Sequence, residues 1–345
     1  MLAEIVAIAR EHDVDAVLVA GDLYDTSAPS ADAQKLVNHT LLTLAREGRE
    51  VVVIAGNHDH GRTFEALRPV MGAAGIEYAG QVRGGEQGVH RFTARSGEKA
   101  VVVLIPFLAR RYAYGAEELV TGTPSENAGH YDEAMRAIIG ELCASFEPDA
   151  VNVVMAHVTC TGGVLGGGER EAQSIFEYHV PAAAFPVDAH YVALGHLHRR
   201  QAMPAACPVH YSGAPLAVDF GEEQNTPVVC IVEATPGTPA SVVDVPIASA
   251  RRLRTITGTV AELTARAGEF GEDYLRVVVQ EPTRAGLRDA IVEALPNALE
   301  VRIDPAFITA RSTVRSEHLG KSARELFDAY CQDAGIEDPR VKALF

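Results

Sequence analysis

The sequence has few cysteines, and they form no metal-thiolate or redox motif. The five cysteines are scattered along 345 residues, are odd in number and include no Cys-x-x-Cys pair. This usage argues against a disulfide-stabilised scaffold and favours free thiols in a reducing cytoplasm. We therefore expect a cytoplasmic protein, and we interpret Cys160, which lies near a candidate histidine, as a bystander thiol.

Long apolar runs and an excess of positive charge are also absent. No run approaches the roughly 20 apolar residues that a bilayer-spanning helix needs, so we expect a soluble protein with no membrane partner. Acidic residues outnumber basic ones by 46 to 30, and the formal net charge of −16 argues against a protein that coats nucleic acid. A nuclease is not excluded, because two bound divalent cations would supply positive charge where a phosphate binds.

Four apolar, β-branched runs each end in a short polar motif. These motifs are GDLYD at 21–25, GNHD at 56–59, the single His157, and GHLH at 195–198. Short apolar runs bounded by glycine are typical of buried strands in a mostly parallel sheet, and functional groups gather beyond the carboxyl ends of such strands. We predict that five side chains converge on one edge: Asp22, Asn57, His157, His196 and His198. Carboxylate, amide and imidazole donors together suit a divalent transition metal such as Mn, Fe or Zn.

The order of predicted elements indicates a layered α/β core followed by a small second domain. Strands and helices alternate at first, and a run of strands follows. We predict helices at 1–12, 31–47, 63–72 and 131–145, and strands at 15–20, 50–55, 88–95, 100–105, 150–156, 190–194, 208–212, 227–232 and 240–246. The pattern restarts near residue 251, so we place a first domain at 1–248 and a second at 249–345. In the second domain we predict strands at RRLRTITG, YLRVVVQ and ALEVRID, and helices at 284–294, 321–334 and 336–344.

The order Asp, Asn-His, His and His-x-His resembles that of the calcineurin-like metallophosphoesterases. Longer segments are similar to the SbcD family, the nuclease subunits of bacterial SbcC–SbcD complexes. These segments are VDAVLVAGDLYD, VVVIAGNHD, VLIPFL, GGGEREAQSIFEYHVPAAAFP, YVALGHLHRRQ and HYSGAPLAVDFGE. The tail, with LRVVVQ, ALPNALEVRI and ELFDAY, is similar to the capping domain of that family. The resemblance implies a layered α/β fold, namely a metallophosphoesterase β-sandwich flanked by helices, with a small α+β C-terminal capping domain.

The resemblance also implies two divalent cations, and we expect manganese. It assigns Asp22 as the ligand that bridges both cations and His198 as a ligand of the first. The ligands that it assigns to the second cation are Asn57, His157 and His196. For His196 and His198, the alternative is a buried, hydrogen-bonded pair on one face of a strand.

Further residues receive roles away from the cations. The resemblance implies that His58 acts on the scissile phosphate, as a transition-state stabiliser or as the acid for the leaving oxygen. We expect Asp25 to orient His58, and Asp59 to support the loop. The candidate phosphate contacts are Arg110, Arg111 and Arg199, with solvated loop arginines as an equal alternative.

The function that this resemblance implies is a manganese-dependent DNA nuclease. It would act as a 3′→5′ exonuclease on double-stranded ends and as an endonuclease on hairpins and single strands, in DNA repair, replication and recombination. An SbcC-type ATPase would be the partner and the nuclease subunit would form a homodimer. The glycine-rich segment 161–170 has no following Lys-Ser/Thr, so it is not a Walker A loop. Two alternatives stay open: another dinuclear metallophosphoesterase, and a catalytically impaired scaffold.

The sequence before Asp22 has no Asp-x-His motif, which the family pattern places there. The family pattern begins with a strand that ends in Asp-x-His, which supplies the remaining ligands of the first cation. Either the start of the coding sequence has been assigned to an internal methionine, or the protein has only part of the two-cation site. We favour the first explanation because the other ligands, with His58 and Asp25, are retained. Without that strand, an apolar strand edge should be left open.

We expect the 345-residue chain to bind its first cation poorly and to be weakly active, because only Asp22 and His198 would hold that ion. A manganese titration coupled to a nuclease assay measures this. Full activity of the chain would contradict the expectation, and an in-frame upstream strand ending in Asp-x-His would remove the scaffold alternative.

Overall fold

The computed structural model describes residues 1–109, 124–169, 179–307 and 323–333. The helices in these ranges are α1 (Leu2–Glu11), α2 (Ala31–Arg46), α3 (Gly61–Gly72), α4 (Pro124–Cys143), α5 (Val260–Ala265), α6 (Leu287–Ala294) and α7 (Ala323–Asp333). None of these helices combines the length and the apolar character that crossing a bilayer requires. Contacts divide the chain into two compact units, Met1–Arg254 with Glu272–Tyr274, and Thr255–Gly271 with Leu275–Phe345.

The strands of the first unit form two principal sheets and two smaller pairs. They are β1 (Ala16–Ala20), β2 (Glu50–Ile54), β3 (Ile76–Ala79), β4 (Val89–Thr93), β5 (Lys99–Ile105), β6 (Ala150–His157), β7 (Thr159–Cys160), β8 (His179–Val180), β9 (Tyr191–Gly195), β10 (Gln201–Met203), β11 (Val209–Tyr211), β12 (Val228–Thr235) and β13 (Thr238–Pro246). One sheet is parallel with the order β1-β2-β3, and the other is mixed with the order β10-β11-β9-β6-β5-β4. Strands β12 and β13 form an antiparallel hairpin.

The two principal sheets pack face to face around a shared apolar layer. In β2, Val52 and Ile54 face this layer, where they cluster with Leu104 of β5 and Met155 of β6. The alternate residues of β2 face the opposite side, as the two-residue repeat of a strand requires. The continuous apolar runs of the sequence therefore mark strands that are covered on both faces, which confirms the layered β-sandwich.

Helices cover the outer faces of both sheets. Val51 and Val53 of β2 pack with Leu44 of α2 and Phe64 of α3 on the outside of the three-stranded sheet. On the outside of the six-stranded sheet, Met135 and other buried residues of α4 pack against β5, β6 and β9. The order of layers is helices, sheet, sheet, helix, and it holds the carboxyl ends of β1, β2, β6 and β9 in fixed positions.

The second unit has its own core. Strand β14 (Leu253–Gly258) begins at the boundary between the units, and β15 (Tyr274–Val279) pairs in parallel with β16 (Ala298–Ile303) in a three-stranded sheet of order β14-β15-β16. Buried Val277, Val279 and Ile291 lie in the same apolar cluster. Helix α5 begins with a capping box in which Thr259 and Glu262 satisfy each other's backbone amides.

The structure differs from the sequence-based expectation in several places, among them a helix, α5, and short strands, β7, β8 and β10, that were not predicted. The four strands that carry the motifs divide between two sheets, β1 and β2 in one and β6 and β9 in the other, rather than sharing one sheet. Strand β3 was not predicted, because IEYA is too short to show a strand periodicity. Helix α4 begins seven residues earlier than predicted, at Pro124. The predicted helix at 336–344 lies outside the described residues.

Strand β1 forms one edge of its sheet among the residues that the structure describes. It pairs with β2, and all five of its residues, Ala16–Ala20, are partly exposed, whereas Val51–Ile54 of β2 are fully buried. The edge of this apolar strand is therefore open within the described residues, as predicted from the sequence.

The inter-sheet layer should dominate the stability of the first unit. Substitution Leu104→Ala should lower the free energy of unfolding by about 2–5 kcal/mol, because it leaves a cavity between two sheets at a side chain that is 1% exposed. Leu36→Ala on α2 is the matched control, since Leu36 is 57% exposed and its loss should change stability by less than about 0.5 kcal/mol. Urea unfolding measures both, and equal losses would contradict this packing.

Candidate metal centre

Four strand ends bring a carboxylate, an amide and two imidazoles together. Asp22 follows β1, Asn57 follows β2, His157 is the last residue of β6 and His196 follows β9. Because β1 and β2 belong to one sheet and β6 and β9 to the other, the site lies where the carboxyl ends of two facing sheets meet. The sequence predicted that these four side chains converge, and the structure brings them together.

The amide oxygen of Asn57 lies at the centre of the group. Its Oδ1 is 2.8 Å from Nε2 of His157 and 2.8 Å from Nδ1 of His196. Asp22 Oδ2 is 3.2 Å from Nε2 of His157. Neighbouring ligand atoms around a six-coordinate divalent cation with bonds of about 2.1 Å are about 3 Å apart, so the spacing of these donors suits such a cation.

The backbone holds two of these residues in conformations that side-chain-bearing residues rarely adopt. Asp22 has a φ of +53° and His196 a φ of +99°, and Gly21 between β1 and Asp22 has a φ of +94°. Positive φ costs about 1–3 kcal/mol for a residue such as histidine and is concentrated at functional sites. The strain indicates that the turns after β1 and β9 are shaped to aim their side chains.

A hydrogen bond determines which nitrogen of His157 faces the other donors. Its Nδ1 lies 2.8 Å from the carbonyl oxygen of Ala20, and a carbonyl only accepts, so Nδ1 carries the hydrogen. The Nε2 lone pair of neutral His157 therefore faces Asn57 and Asp22. Burial alone would lower the pKa of His157, but the Asp22 carboxylate, together with the Ala20 carbonyl and Asp59, outweighs burial and raises it.

The other two ionisable groups favour cation binding. Burial would raise the pKa of Asp22, yet His157 and the backbone amide of His58 lower it well below its usual range, so the carboxyl is ionised. Burial, together with the charge that His157 can carry, lowers the pKa of His196 to about 3, so its imidazole is neutral. An ionised carboxylate and a neutral imidazole are the forms that bind metal.

The donor chemistry provides the test of whether a cation fits. Nδ1 of His196, which lies beside the Asn57 oxygen, is the nitrogen that faces the centre, while its buried Nε2 has no hydrogen-bond partner among the described residues. The group Asp22, His157 and His196, with the Asn57 oxygen beside it, thus has the donors, the spacing and the charge to hold a divalent cation.

Asp59 joins the loops after β1 and β2. Its buried carboxylate accepts the backbone N–H of Gly56 at 2.8 Å, and those of Leu23 and Tyr24 at 3.3 Å each. Burial raises the pKa of Asp59, and these amides oppose that shift. The prediction that Asp59 supports the loop is confirmed.

His58 is oriented by a backbone atom rather than by a carboxylate. Its Nδ1 lies 2.7 Å from the carbonyl oxygen of Asp25, whereas the Asp25 carboxylate is 3.8 Å away and 96% exposed. The His58 backbone amide also donates to Asp22 Oδ1 at 2.9 Å. The predicted pairing of His58 with Asp25 therefore takes the form of a hydrogen bond to the main chain.

His198 lies in a second group of ionisable side chains. Its partners are Glu169 and Glu222. No role was assigned to either glutamate from the sequence, although both lie in segments that resemble the family, GGGER and VDFGE. A single glutamate in a loop has no spacing pattern that would reveal it.

The remaining candidates have no structural assignment at the site. Arg199 is exposed and forms no ion pair with any described residue, and Arg110 and Arg111 lie outside the described residues. Burial raises the pKa of the Cys160 thiol to about 11, so the thiol stays protonated and unreactive, as expected of a bystander. The cysteines within the described residues are all free.

A donor set of this kind at the carboxyl ends of two packed sheets is what a metal-dependent phosphoesterase requires, and the sequence comparisons agree. The model of the calcineurin-like phosphoesterases matches residues 1–200, more than half of the chain. The chain belongs to this family.

Individual relatives give a narrower likeness. The chain is 34% identical over 257 residues to the SbcD subunit of the SbcCD nuclease of Bacillus subtilis (strain 168), covering 73% of this chain and 64% of that protein. The protein of the same name from Rhodobacter capsulatus is 33% identical over 64% of this chain and 57% of its own length. That of Escherichia coli (strain K12) is 28% identical over 79% and 67%. The matched part thus spans roughly two thirds or less of each relative.

Gly21 should be essential for placing His157. A Cβ at Gly21 would lie 2.2 Å from Nδ1 of His157, so Gly21→Ala should displace the imidazole and weaken Mn²⁺ binding at least tenfold. Gly48→Ala is the matched control, because Gly48 also has a positive φ, +78°, but has no atom within 4 Å of the added Cβ.

Both variants should lose about 1–2 kcal/mol of stability from the positive φ alone. Titration calorimetry with Mn²⁺, beside urea unfolding, separates the two effects. Equal Mn²⁺ affinity in the two variants would contradict the placement of His157 at the site.

Proposed function

We propose that this chain is the nuclease subunit of an SbcC–SbcD-type complex. It would be a metal-dependent DNA phosphodiesterase, with 3′→5′ exonuclease activity on double-stranded ends and endonuclease activity on single strands and hairpins. It would act in the repair, replication and recombination of DNA. The observation that carries the proposal is the meeting of Asp22, Asn57, His157 and His196 at four strand ends, in a chain similar to several proteins with that name.

In this proposal each residue of the centre has a defined task. Asp22, Asn57, His157 and His196 hold one divalent cation, and Asp22 with His198 contributes to a second. Two such cations would neutralise the charge of the phosphodiester and make a water molecule more acidic. The mixed oxygen and nitrogen donors suit manganese among other first-row metals.

His58 is the proton donor or charge stabiliser. Because its Nδ1–H is committed to the carbonyl oxygen of Asp25, Nε2 is the nitrogen that is available to a substrate. The side chain is 11% exposed, so it is held in place but can be reached. In this role His58 would stabilise the charge on the phosphate or give a proton to the leaving oxygen.

Partners follow from the same proposal. Linear and hairpin DNA would be the substrates, an SbcC-type ATPase would supply ATP-dependent gating, and the nuclease subunit would form a homodimer. Arg110, Arg111 and Arg199 would contact the phosphates. Residues 249–345 would form the capping domain, and the protein would act in the cytoplasm.

A comparison of two substitutions separates the proposed role of His58 in catalysis from that of Asn57 in metal binding. His58→Ala should lower cleavage of linear duplex DNA by about 10²–10⁴-fold, because it removes a proton-transfer group, while Mn²⁺ affinity stays within twofold of wild type. Asn57→Ala should lower both Mn²⁺ affinity and cleavage. Gel assays of duplex cleavage and titration calorimetry measure the two effects.

The control is His39→Ala, since His39 is an exposed imidazole on α2 and its loss should change neither property. Hydrolysis of bis-p-nitrophenyl phosphate with no cleavage of duplex DNA, under the same conditions, would favour another metallophosphoesterase. Metal binding without hydrolysis of either substrate would favour the scaffold alternative.

A further inference from the structure

Glu222 is a buried carboxylate away from the strand-end motifs. It ends the 3₁₀-helix Phe220–Glu222, and its side chain is 1% exposed. Among the described residues it forms no ion pair with lysine or arginine. A carboxylate removed from water must be compensated by hydrogen-bond donors, so its partners reveal its task.

Those partners are one imidazole and one backbone amide. Oε1 of Glu222 lies 2.5 Å from Nδ1 of His198, and Oε2 accepts the N–H of Val218 at 2.8 Å. An ionised carboxylate only accepts, so Nδ1 of His198 carries a hydrogen. In the neutral imidazole the lone pair is then on Nε2, which has no hydrogen-bond partner among the described residues.

A second glutamate holds the backbone of the same histidine. Glu169 Oε1 accepts the N–H of His198 at 2.8 Å and that of Gly166 at 2.7 Å, and Oε2 accepts the N–H of Gly167 at 2.8 Å. The loop that carries Glu169 packs closely, because a Cβ at Gly168 would lie 2.3 Å from Oε1 of Glu222. The ring and the main chain of His198 are therefore fixed from two separate loops.

We propose that Glu222 is a positioning residue that holds His198 in the Nδ1–H tautomer, so that the Nε2 lone pair is available to a divalent cation. The inference rests on the proposed metal-binding role of His198. A carboxylate that orients a histidine ligand in this way both selects the tautomer and makes the free nitrogen a stronger donor.

Glu169 and Glu222 are better explained as supports than as ligands. The oxygens of Glu169 are occupied by three backbone amides, and those of Glu222 by an imidazole and an amide. A cation bound between the glutamates would compete with these hydrogen bonds. The one donor atom of the group that is left without a partner in the described part of the chain is Nε2 of His198.

The substitution Glu222→Gln discriminates sharply because glutamine offers one acceptor where glutamate offers two. If its oxygen accepts the amide of Val218, its NH₂ group must donate to Nδ1 of His198, and the proton of the ring moves to Nε2. We expect nitrogen NMR of ¹⁵N-histidine protein at alkaline pH to show the Nδ1–H form of His198 in the wild type. The population of the Nε2–H form of His198 should be higher in Glu222→Gln than in the wild type.

Manganese supplies the second measurement. Added Mn²⁺ should broaden the His198 signals of the wild type, which are assigned by their loss in His198→Gln. In Glu222→Gln the Mn²⁺ concentration for half-maximal broadening should rise about 10- to 100-fold. Glu223→Gln, the adjacent carboxylate, is the matched control and should leave both the tautomer and the broadening unchanged.

Either of two results would overturn the proposal. One is a wild-type His198 in the Nε2–H form, or without Mn²⁺ broadening, a test that needs no folded variant. The other is an unchanged tautomer and Mn²⁺ response in a folded Glu222→Gln. Neither of these two measurements depends on DNA cleavage. A protein that meets both expectations but cleaves no DNA in a separate assay would refute the nuclease proposal and leave the role of Glu222 intact.

Discussion

A hydrogen bond joins the two sheets at the candidate metal centre. Nδ1 of His157, at the end of β6, donates to the carbonyl oxygen of Ala20, at the end of β1. The contact is so close that a Cβ at Gly195 would lie 1.7 Å from the same oxygen, which leaves glycine as the residue that fits there. The sandwich core brings the two strand ends together, and the hydrogen bond then aims the imidazole at the donors of the opposite sheet.

The carboxylates around the centre share a pattern of compensation. Asp22, Asp59, Glu169 and Glu222 are paired with backbone amides and imidazoles, and none of them forms an ion pair with lysine or arginine within the described ranges. Amides offset the cost of burying a carboxylate but leave its charge in place. The centre therefore keeps a negative potential that a divalent cation, rather than a basic side chain, would neutralise.

The histidines illustrate how acceptor-only partners choose a tautomer. A carbonyl oxygen faces Nδ1 of His157, another faces Nδ1 of His58, and a carboxylate faces Nδ1 of His198. In each case the hydrogen is held at Nδ1 and Nε2 is left for chemistry or for a ligand. Three residues from different loops thus reach the same protonation pattern through different partners.

Much of the fold and the centre could be predicted from local sequence. The runs before Gly21, Gly56, His157 and Gly195 are apolar and β-branched because both faces of their strands are covered, and this pattern is visible residue by residue. Asp22, Asn57, His157 and His196 follow those runs directly. A general rule about strand ends was therefore enough to predict that they meet.

The parts that could not be predicted depend on atoms that have no sequence signature. Every residue type has a backbone carbonyl, so nothing in the sequence indicates that those of Ala20 and Asp25 orient His157 and His58. Glu222 was not predicted because its role depends on its contact with His198, which is 24 positions away in the sequence.

The sequence alone determined that β1, β2, β6 and β9 are strands and which donor atoms stand at their ends, because both depend on neighbours along the chain. The tertiary structure alone decided how the strands divide between two sheets, which nitrogen of each histidine is free, and which glutamates support His198. These properties arise from packing and hydrogen bonds between segments that are distant in sequence, and a linear pattern does not contain those distances.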